Sequence, residues 1–339
     1  MPRILVVQSS IDRERYFEPA TQAFLERTAE VVWNPSDRPL TPEELVDRIP
    51  GCHAVITGWG GCPLPPEVYE AADCLQIVGV LGGGVKPYSP ELAFKRGIRI
   101  LHTPRAIGKY VAEFALGLIL SLCYDVPWHD RLARVQNLPK PPGGGYDTPG
   151  GWTATALGGA TVGLLGVGAV GTRLVELLQP FGCRIIAHDP YLRVERARAL
   201  DVEPVSLDDL LCRCTILSVH AAWTPETEGM LSRERLGLLR DGAIVVNTAR
   251  MPIFDEAALR DEVLSGRIKA ALNLIPNDPI WHAPELAGLD NLLLSTGYAT
   301  VADRTLPDMG AMIAADLNRF FTGEDPVHEV WPEMLARMT

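Results

Sequence analysis

Three glycines in a short run are the residues of this sequence with the clearest chemical pattern. The run Gly-Val-Gly-Ala-Val-Gly at 166–171 follows an apolar, strand-like segment at 161–165, and an amphipathic helical segment comes next. Gly166 permits a tight turn, Gly168 lets the backbone approach a pyrophosphate, and Gly171 lets the helix pack closely on the strand. The first N–H groups of the helix, together with its dipole, form an anion site. The pattern predicts a phosphate-binding turn.

A carboxylate completes this pattern. Asp189 ends the next apolar run, 23 residues after Gly166. At that distance a carboxylate accepts hydrogen bonds from both ribose hydroxyls of NAD and repels the extra phosphate of NADP. Because strand, glycines, helix and acid all occur in order, the sequence predicts an NAD site, to which Ala169 and Val170 add helix N–H groups. The alternative is a tight β–α turn that binds nothing.

The composition is that of a globular protein with about two domains. The chain has 339 residues, 47% hydrophobic and 22% charged, with a net charge of −11. This charge argues against nucleic acid or an anionic membrane as a partner. The most apolar segment, 110–123, is short for a membrane span and favours a buried helix. The apolar run at 1–7 reads as a buried strand and is too short for a signal peptide.

The cysteines favour a reducing compartment, because they are odd in number, scattered and mostly inside apolar runs. A cytoplasmic location is therefore predicted. The pair Cys212 and Cys214 lacks the spacing and the matching histidines of a metal site, so no metal is predicted. The seven are Cys52, Cys62, Cys74, Cys123, Cys183, Cys212 and Cys214.

Strand-like and helix-like segments alternate over residues 1–103, which predicts a small doubly wound parallel domain. In this part Thr41 is expected to cap a helix, with Glu44 closing a capping box. Thr103-Pro104 breaks the pattern before a long apolar helix at 111–123. The Pro- and Gly-rich arm at 125–151 has little regular signal, which is typical of an interface or a functional segment. Predicted strands lie at 4–7, 30–33, 53–57, 76–81 and 98–101, and helices at 19–28, 41–48, 65–72 and 90–96.

A second alternating series begins at residue 161 and closes with a helix at 301–321, placed to return to the first domain. Strands are predicted at 161–165, 183–188, 215–220, 243–247, 270–274 and 291–295, and helices at 171–181, 194–200, 206–212, 232–239 and 256–265.

Four local patterns, in this order and spacing, resemble the D-2-hydroxyacid dehydrogenase family. They are VAEFAL at 111–116, the glycine run, TPET at 224–227 and NTAR at 247–250. The resemblance covers nearly the whole chain. It implies an α/β fold of two doubly wound parallel-sheet domains, of Rossmann or flavodoxin-like type, with the active site in a cleft between them.

The resemblance also implies a division of labour. Residues 1–103 with 296–339 would form the substrate-binding domain, and residues 104–295 the NAD-binding domain. It further implies a homodimer, with the helix at 111–123 and the arm after it as dimer elements.

Arg250 occupies the position of the family's substrate-binding and catalytic arginine. A guanidinium pairs bidentately with a carboxylate and polarises the carbonyl that receives hydride. The alternative is an exposed arginine after a strand.

The run Gly82-Gly83-Gly84 occupies the family's loop whose backbone amides bind the substrate carboxylate. Lys86 stands where an Asp is common in the family, and Arg105 and Lys109 add further cations. These residues suggest a substrate with a second anionic group, such as phosphate or phosphonate. The alternative is a set of solvated surface charges.

The chain departs from the family at its remaining catalytic positions. Asn273 replaces an Asp near the nicotinamide carboxamide and can still hydrogen-bond it, and Asp278 replaces a Glu. Gly297 stands where the family has its catalytic histidine, whose general acid–base role is typically worth about 10²–10⁴-fold in rate. The candidates to replace that histidine are Tyr298, His102 and a water held by Asp278, whereas His282 is expected at the surface.

Two further residues complete the predicted site. His220, at the end of a strand, is expected to line the cofactor site with Thr248. The alternative is a core histidine whose ring is satisfied by its neighbours.

The sequence thus predicts an NAD(H)-dependent oxidoreductase that interconverts a 2-oxo acid and a D-2-hydroxy acid. Its expected partners are a small anionic substrate and a second copy of itself. One alternative is a catalytically silent NAD-binding sensor or scaffold of the same fold. Another is an oxidoreductase for an unusual substrate whose chemistry does not need the histidine.

Overall fold

The computed structural model describes residues 1–135, 154–274, 284–286 and 288–338. It contains two compact units, one of Met1–Ile107 with Val301–Thr339 and one of Gly108–Thr300. The first predicted domain boundary, after residue 103, lies four residues before the end of the first segment at Ile107. The second, after residue 295, lies five residues before the end of the second unit at Thr300.

The elements of the N-terminal part alternate between strand and helix, which is the pattern of a doubly wound sheet. They are β1 (Arg3–Val6), α1 (Ser10–Tyr16), α2 (Pro19–Thr28), β2 (Glu30–Val32), α3 (Pro42–Arg48), β3 (Ala54–Gly58), α4 (Pro66–Ala71), β4 (Ile77–Leu81), α5 (Pro90–Lys95) and β5 (Arg99–His102). The capping box predicted for α3 is confirmed, because the Thr41 side chain and the Glu44 side chain each bond the other residue's backbone N–H.

The central part continues the alternation after two helices. Its elements are α6 (Pro104–Cys123), α7 (Val126–Val135), β6 (Thr161–Leu165), α8 (Ala169–Leu178), β7 (Arg184–His188), α9 (Val194–Ala199), β8 (Glu203–Pro204), α10 (Leu207–Arg213), β9 (Ile216–Val219), α11 (Arg233–Leu236), β10 (Ile244–Asn247), α12 (Glu256–Leu264), β11 (Lys269–Asn273) and β12 (Leu292–Ser295). The C-terminal part adds α13 (Thr305–Phe321) and β13 (Glu329–Val330).

The first unit is built on a six-stranded sheet in the order β13-β5-β4-β3-β1-β2. Five strands are parallel, but β13 pairs antiparallel with β5, through Glu329 opposite Leu101 and Val330 opposite Ile100. The predicted doubly wound parallel fold is confirmed, and the antiparallel edge strand β13 is an addition that no predicted strand covers. A two-residue strand carries no readable alternation, and a segment that returns to the sheet can pair in either direction.

The second unit is built on a seven-stranded, all-parallel sheet in the order β12-β11-β10-β9-β6-β7-β8. Successive residues of its strands are buried in different cores. Ile185 and Ala187 of β7 belong to one cluster and Ile186 to the other. Burial on both faces explains why these strands read as continuous apolar runs. The strand order reverses between β6 and β9, and ligands of open α/β sheets bind at such a point.

Helix α6 begins earlier than predicted. It starts at Pro104 and has 20 residues, because a proline with its fixed φ is favourable in the first turn of a helix, where its missing N–H costs nothing. The prediction that residues 125–151 have little regular structure is also wrong at the start of this segment, because α7 covers Val126–Val135. The rest of that arm, at 136–151, lies outside the described residues. Among the described helices, α6 has the length and apolar composition of a membrane span, but half of that stretch is buried inside the protein.

Candidate functional site

The glycine turn lies where β6 and β9 end side by side in the second sheet. Gly166 has a φ of 93°, and a Cβ there would lie 2.8 Å from the backbone nitrogen of Ala221. A Cβ on Gly171 would lie 2.4 Å from the carbonyl oxygen of Gly166. Neither position has room for a larger residue, so the start of α8 rests directly on the turn.

Gly168 differs from these two glycines because a Cβ on it would meet no atom within 4 Å. It is the N-cap of α8, and no side chain caps this helix. The N–H groups of Ala169, Val170 and Gly171 belong to the first turn, where a helix offers no internal acceptor. Open space beside Gly168 and N–H groups without an acceptor inside the helix are what a bound phosphate requires, so these residues fit a dinucleotide.

The Asp189 carboxylate is attached to this turn. Its Oδ2 accepts the backbone N–H of Val167 at 2.8 Å, and its Oδ1 accepts the backbone N–H of Tyr191 at 2.8 Å. Two backbone donors from different segments therefore fix the acid beside the glycines.

His220 follows β9, and both nitrogens of its ring are hydrogen-bonded. Nε2 lies 2.9 Å from the hydroxyl of Ser218, and Nδ1 lies 3.1 Å from the hydroxyl of Thr248. Burial lowers the pKa of His220 to about 3, so the ring is neutral at physiological pH. Both ring nitrogens therefore have hydrogen-bond partners within the protein, as expected for the alternative interpretation of His220 as a core histidine. Lining of the cofactor site by His220 and Thr248 stays a prediction.

Arg250 lies on a turn that β10 presents at its carboxyl end. Asn247, buried as the last residue of β10, accepts the backbone N–H of Ala249 at 2.9 Å and so shapes the turn. The Arg250 side chain is exposed, and its one hydrogen bond to a described residue is to the carbonyl of Ala249 at 3.0 Å. The guanidinium is thus available to an anionic ligand. The sequence analysis does not identify Asn247 as a positioning residue, although an asparagine at the end of a buried strand is a known turn signal.

Asn273 connects β11 to the loop that carries Gly297. Its Oδ1 accepts the Ser295 hydroxyl at 2.9 Å and the backbone N–H of Ala299 at 3.3 Å. The amide nitrogen of Asn273 has no hydrogen-bond partner among the residues that the structure describes.

The loop itself offers little acid–base chemistry. Gly297 has a φ of 71°, and a Cβ there would lie 3.1 Å from the carbonyl oxygen of Leu274. Tyr298 is 58% exposed. Asp278 and His282 lie outside the described residues.

In the first unit, the end of β5 holds the glycine loop at 82–84. Thr103 accepts the Gly82 N–H through its hydroxyl at 2.9 Å, and its own N–H donates to the Gly82 carbonyl at 2.9 Å. The ring Nδ1 of His102 lies 3.1 Å from the carbonyl oxygen of Gly83. Burial lowers the pKa of His102, the bond to Gly83 opposes this shift, and nearby His328 lowers the pKa further. His102 is therefore a neutral ring with Nδ1–H donating to the loop.

The three cations predicted near the substrate loop, Lys86, Arg105 and Lys109, differ in their contacts. Lys86 and Arg105 are exposed. The Lys109 ammonium donates to the Tyr110 hydroxyl at 3.0 Å and lies 4.8 Å from the centre of the Tyr110 ring, so it already has an interaction within the protein.

Asp316 and His328 form a pair that the sequence did not reveal. Asp316 is buried on α13, and its carboxylate accepts the His328 ring Nδ1 at 2.7 Å and the His328 backbone N–H at 3.0 Å. The His328 carbonyl in turn accepts the backbone N–H of His102 at 3.1 Å. The C-terminal segment thus supports the strand end from which His102 reaches the glycine loop. No local signal links residues 12 apart in such a pair.

Within each unit, the predicted residues form separate groups. The second unit brings together the glycine turn with Asp189, His220 with Thr248, and Asn273 with the Tyr298 loop. The first unit brings His102 to the glycine loop. In the described part of the chain, no group of three or more His, Cys, Asp or Glu side chains is placed to hold a metal ion.

Comparison with protein families matches residues 116–298 to the NAD-binding domain of D-isomer-specific 2-hydroxyacid dehydrogenases. Similar sequences include the D-3-phosphoglycerate dehydrogenase of Mycobacterium tuberculosis, 32% identical over 78% of this chain and 48% of the relative. The glyoxylate reductase of Korarchaeum cryptofilum is 29% identical over 88% of this chain and 89% of the relative.

Solved structures share the fold. A phosphoglycerate oxidoreductase from Rhizobium etli aligns with a TM-score of 0.80 at 24% identity, covering 98% of this chain and 99% of that one. The chain spans about half the length of the phosphoglycerate dehydrogenases that it matches.

Proposed function

Because the chain belongs to the D-isomer-specific 2-hydroxyacid dehydrogenase family, we propose that it is an oxidoreductase that interconverts a 2-oxo acid and a D-2-hydroxy acid. NAD(H) is the cofactor, as the matched NAD-binding domain indicates. The observation that carries the proposal is the exposed Arg250 guanidinium, held on a shaped turn in the same unit as an open dinucleotide-binding turn.

The residues take the following roles in the proposal. The glycine turn with Ala169 and Val170 holds the pyrophosphate, and Asp189 binds the ribose hydroxyls and favours NAD over NADP. His220 and Thr248 line this site. The Asn273 amide nitrogen donates to the oxygen of the nicotinamide carboxamide. When bound, the cofactor supplies or accepts a hydride.

Arg250 binds the substrate carboxylate and polarises the carbonyl oxygen. In the first unit, the backbone amides of Gly83 and Gly84 bind an anionic group of the substrate in this proposal. The predicted role of the Gly82 amide is not supported, because its N–H donates to the Thr103 hydroxyl.

Proton transfer is assigned to His102 first. Its ring is neutral and touches the substrate loop, and its Nε2 is free among the described residues, so it accepts the hydroxyl proton when the hydroxy acid is oxidised. Tyr298 and a water held by Asp278 are the other candidates. His102→Asn and Tyr298→Phe separate them, because the variant that loses the proton-transfer group should show turnover slower by about 10²-fold or more.

Following the loss of NADH absorbance with a panel of 2-oxo acids tests the proposal. Turnover of at least one acid is expected. Arg250→Lys keeps the charge but loses the planar fork, so kcat/KM should fall about 10²-fold, whereas exposed Arg319→Lys should leave it unchanged. Equal activity in both variants would contradict the role of Arg250.

A silent NAD-binding sensor or scaffold is the second candidate, and Gly297 at the histidine position favours it. Tight NADH binding without turnover of any 2-oxo acid would support this candidate and overturn the first.

A second anionic group on the substrate is a separate hypothesis, supported by exposed Lys86 and Arg105. It predicts that Lys86→Ala loses more kcat/KM with a dianionic 2-oxo acid than with a monoanionic one. Equal losses would contradict it.

A cytoplasmic homodimer with no nucleic acid or membrane partner completes the proposal. The apolar helix α6 supports self-association, because some of its leucines keep part of their surface exposed. These leucines are Leu116, Leu118 and Leu120. Light scattering of the purified protein tests it, with a mass near twice 37.0 kDa expected.

A further inference from the structure

We infer that Asp316 and His328 are positioning residues for His102, and that a proton on the His328 ring opposes a proton on the His102 ring. The inference rests on the proposed function, because it takes His102 as the group that accepts the hydroxyl proton. It adds two residues that act on the reaction through His102.

The register between β13 and β5 places His328 opposite His102. Glu329 pairs with Leu101 in this antiparallel ladder, so the next pair of residues along it is His328 with His102. The ladder bond is present from one side, because the His102 backbone N–H donates to the His328 carbonyl at 3.1 Å. Residues directly opposite each other in such a ladder have Cβ atoms about 4.5–5.5 Å apart. The two histidine side chains therefore start close together.

Asp316 takes the place of the second bond of this pair. In a regular antiparallel pair the His328 N–H would donate to the His102 carbonyl, but it donates to the Asp316 carboxylate at 3.0 Å. The same carboxylate accepts the Val327 N–H at 2.9 Å and the His328 ring Nδ1 at 2.7 Å. Asp316 is 1% exposed, so these three donors hold it in a dry environment. The carboxylate thereby fixes the His328 carbonyl to which the His102 backbone is bonded.

The Asp316 side chain is ionised. Burial alone would raise the pKa of Asp316, but its bonds to the His328 ring and to the Val327 N–H lower the pKa below its usual value. A carboxylate that is bonded to a ring nitrogen stabilises the protonated form of an imidazole. Asp316 thus provides the negative charge for a proton on His328.

A proton on His328 acts on the neighbouring ring. Burial lowers the pKa of His102, the hydrogen bond to the Gly83 carbonyl raises it, and His328 lowers it further. Two titratable groups whose surroundings differ in this way can divide acid and base roles between them. The arrangement keeps His102 neutral, which is the form that a general base requires.

Other charges around β5 are paired or exposed. Arg99 donates from Nε to Oε1 of Glu329 at 2.7 Å and lies 3.4 Å from a carboxylate oxygen of Asp325. In the described part of the first unit, His328 is therefore the titratable group best placed to act on His102. Further charged side chains around β5 are exposed or half-buried: Lys86, Glu91, Lys95, Arg96, Arg105, Asp308 and Arg319.

His328→Asn separates the charge of the ring from its hydrogen bond. The Asn amide nitrogen can donate to Asp316 in place of Nδ1–H, while the titratable ring is lost. NMR titration of the histidine rings in the full chain, without substrate, measures the pKa of His102, and His102→Asn identifies its signals. We expect this pKa to rise by about 0.5 or more in His328→Asn, because the opposing charge is gone and Asp316 is left unbalanced. Equal values in parent and variant would overturn the inference.

His53→Asn is the matched control. His53 precedes β3 whereas His102 ends β5, so the two histidines lie at opposite ends of parallel strands in one sheet. The His53 ring Nδ1 accepts the Arg3 backbone N–H at 3.2 Å, and an Asn oxygen can keep this bond. The pKa of His102 should be the same in this variant as in the parent. Thermal unfolding shows whether each variant is folded.

The parent protein provides a test that needs no variant. Two interacting groups release their protons in macroscopic steps that belong to the pair. The ring signals of His102 should therefore follow a broadened titration curve with two steps. A curve for a single independent proton would contradict the coupling, even if His328→Asn does not fold.

The pH profile of kcat/KM for oxidation of a hydroxy acid extends the test to catalysis. His102 must be neutral to accept the proton, so kcat/KM rises with pH through the pKa of His102. His328→Asn should move this acidic limb to higher pH by the same amount as the NMR titration shows. A merely structural role would lower kcat/KM at every pH and leave the limb where it is.

The outcomes separate this inference from the proposed function. A raised pKa of His102 in His328→Asn, with no turnover of any 2-oxo acid or with full turnover in His102→Asn, would support the coupling and overturn the proposed role of His102. Turnover that is lost in His102→Asn, with equal pKa values of His102 in parent and His328→Asn, would overturn the coupling alone.

Discussion

The carboxylate of Asp189 accepts the backbone N–H of Val167 from a distance of 2.8 Å. The acid at the end of β7 and the turn at the end of β6 are therefore a single hydrogen-bonded unit. If Asp189 binds the ribose hydroxyls as proposed, this fixed position means that less ordering of the side chain is required on binding.

Removal of this carboxylate should change cofactor choice. We expect Asp189→Ala to weaken NADH binding about 10- to 100-fold, because hydrogen bonds to a charged group are worth about 1.5–3 kcal/mol. The ratio of NADPH to NADH affinity should rise, since the repulsion of the 2′-phosphate is lost. Fluorescence titration measures both. Glu195→Ala on α9 removes an exposed charge nearby in sequence and should change neither, and an unchanged ratio in Asp189→Ala would contradict the assignment.

The glycines of the turn should respond differently to one added methyl group. Gly168→Ala should fold normally, because the new Cβ meets nothing within 4 Å. It should nevertheless bind NADH at least about 10-fold more weakly, because the methyl group takes the space of the pyrophosphate. Gly171→Ala should lose about 1–3 kcal/mol of stability, because its Cβ would lie 2.4 Å from a carbonyl oxygen. Thermal unfolding and NADH titration give the two readings. Gly117→Ala on α6 also adds its methyl to open space and should leave NADH binding intact. Equal NADH affinity in Gly168→Ala and the parent would refute the predicted phosphate position.

Introducing a histidine at Gly297 should not supply the general acid–base group that the family resemblance implies for this position. The φ of 71° is left-handed, which costs most residues about 1–2 kcal/mol. We expect Gly297→His to lower stability by that amount and to leave turnover within about 10-fold of the parent, well short of what general acid–base catalysis supplies. Gly297→Asn is the control, because Asn tolerates this backbone conformation, and it should be nearer to the parent in stability. Turnover that is faster in Gly297→His by about 10²-fold or more would show that the loop accepts the family's acid–base group.

The low pKa of His220 should make stability depend on pH. Its pKa is about 3 in the folded protein, against about 6.5 in an unfolded chain. The unfolded state thus binds the proton at higher pH, so the contribution of His220 is complete above about pH 7 and is lost as the pH falls from about 6.5 towards 3. Urea unfolding should show the parent losing about 2 kcal/mol more than His220→Asn between about pH 7.5 and 5. Parallel pH curves for the two proteins would count against a neutral ring with a lowered pKa.

The sequence was informative where the determinants are local. Thr41 and Glu44 lie three residues apart in one helix turn, and Gly166 and Gly171 lie in one β–α turn, so the capping box and the close packing of the turn could both be anticipated. The sequence does not fix the start of α6, because a proline such as Pro104 is compatible both with a break and with the first turn of a helix.

The remainder depends on contacts between distant segments. The two residues of β13 carry no period, and their direction is set by pairing with β5. Asp316 meets His328 only because α13 and the following segment return to the first sheet. The indole of Trp59, which is one residue past β3, lies beside Gly82, which is one residue past β4, because these strands are neighbours in the sheet. Neither residue type signals that approach.

The left-handed backbone at Gly297 also bears on the history of this chain. No single nucleotide change converts a glycine codon into a histidine codon, and any side chain at an intermediate step would lie close to the carbonyl of Leu274. A histidine at this position is therefore reached only through a second residue type that the same turn has to accommodate.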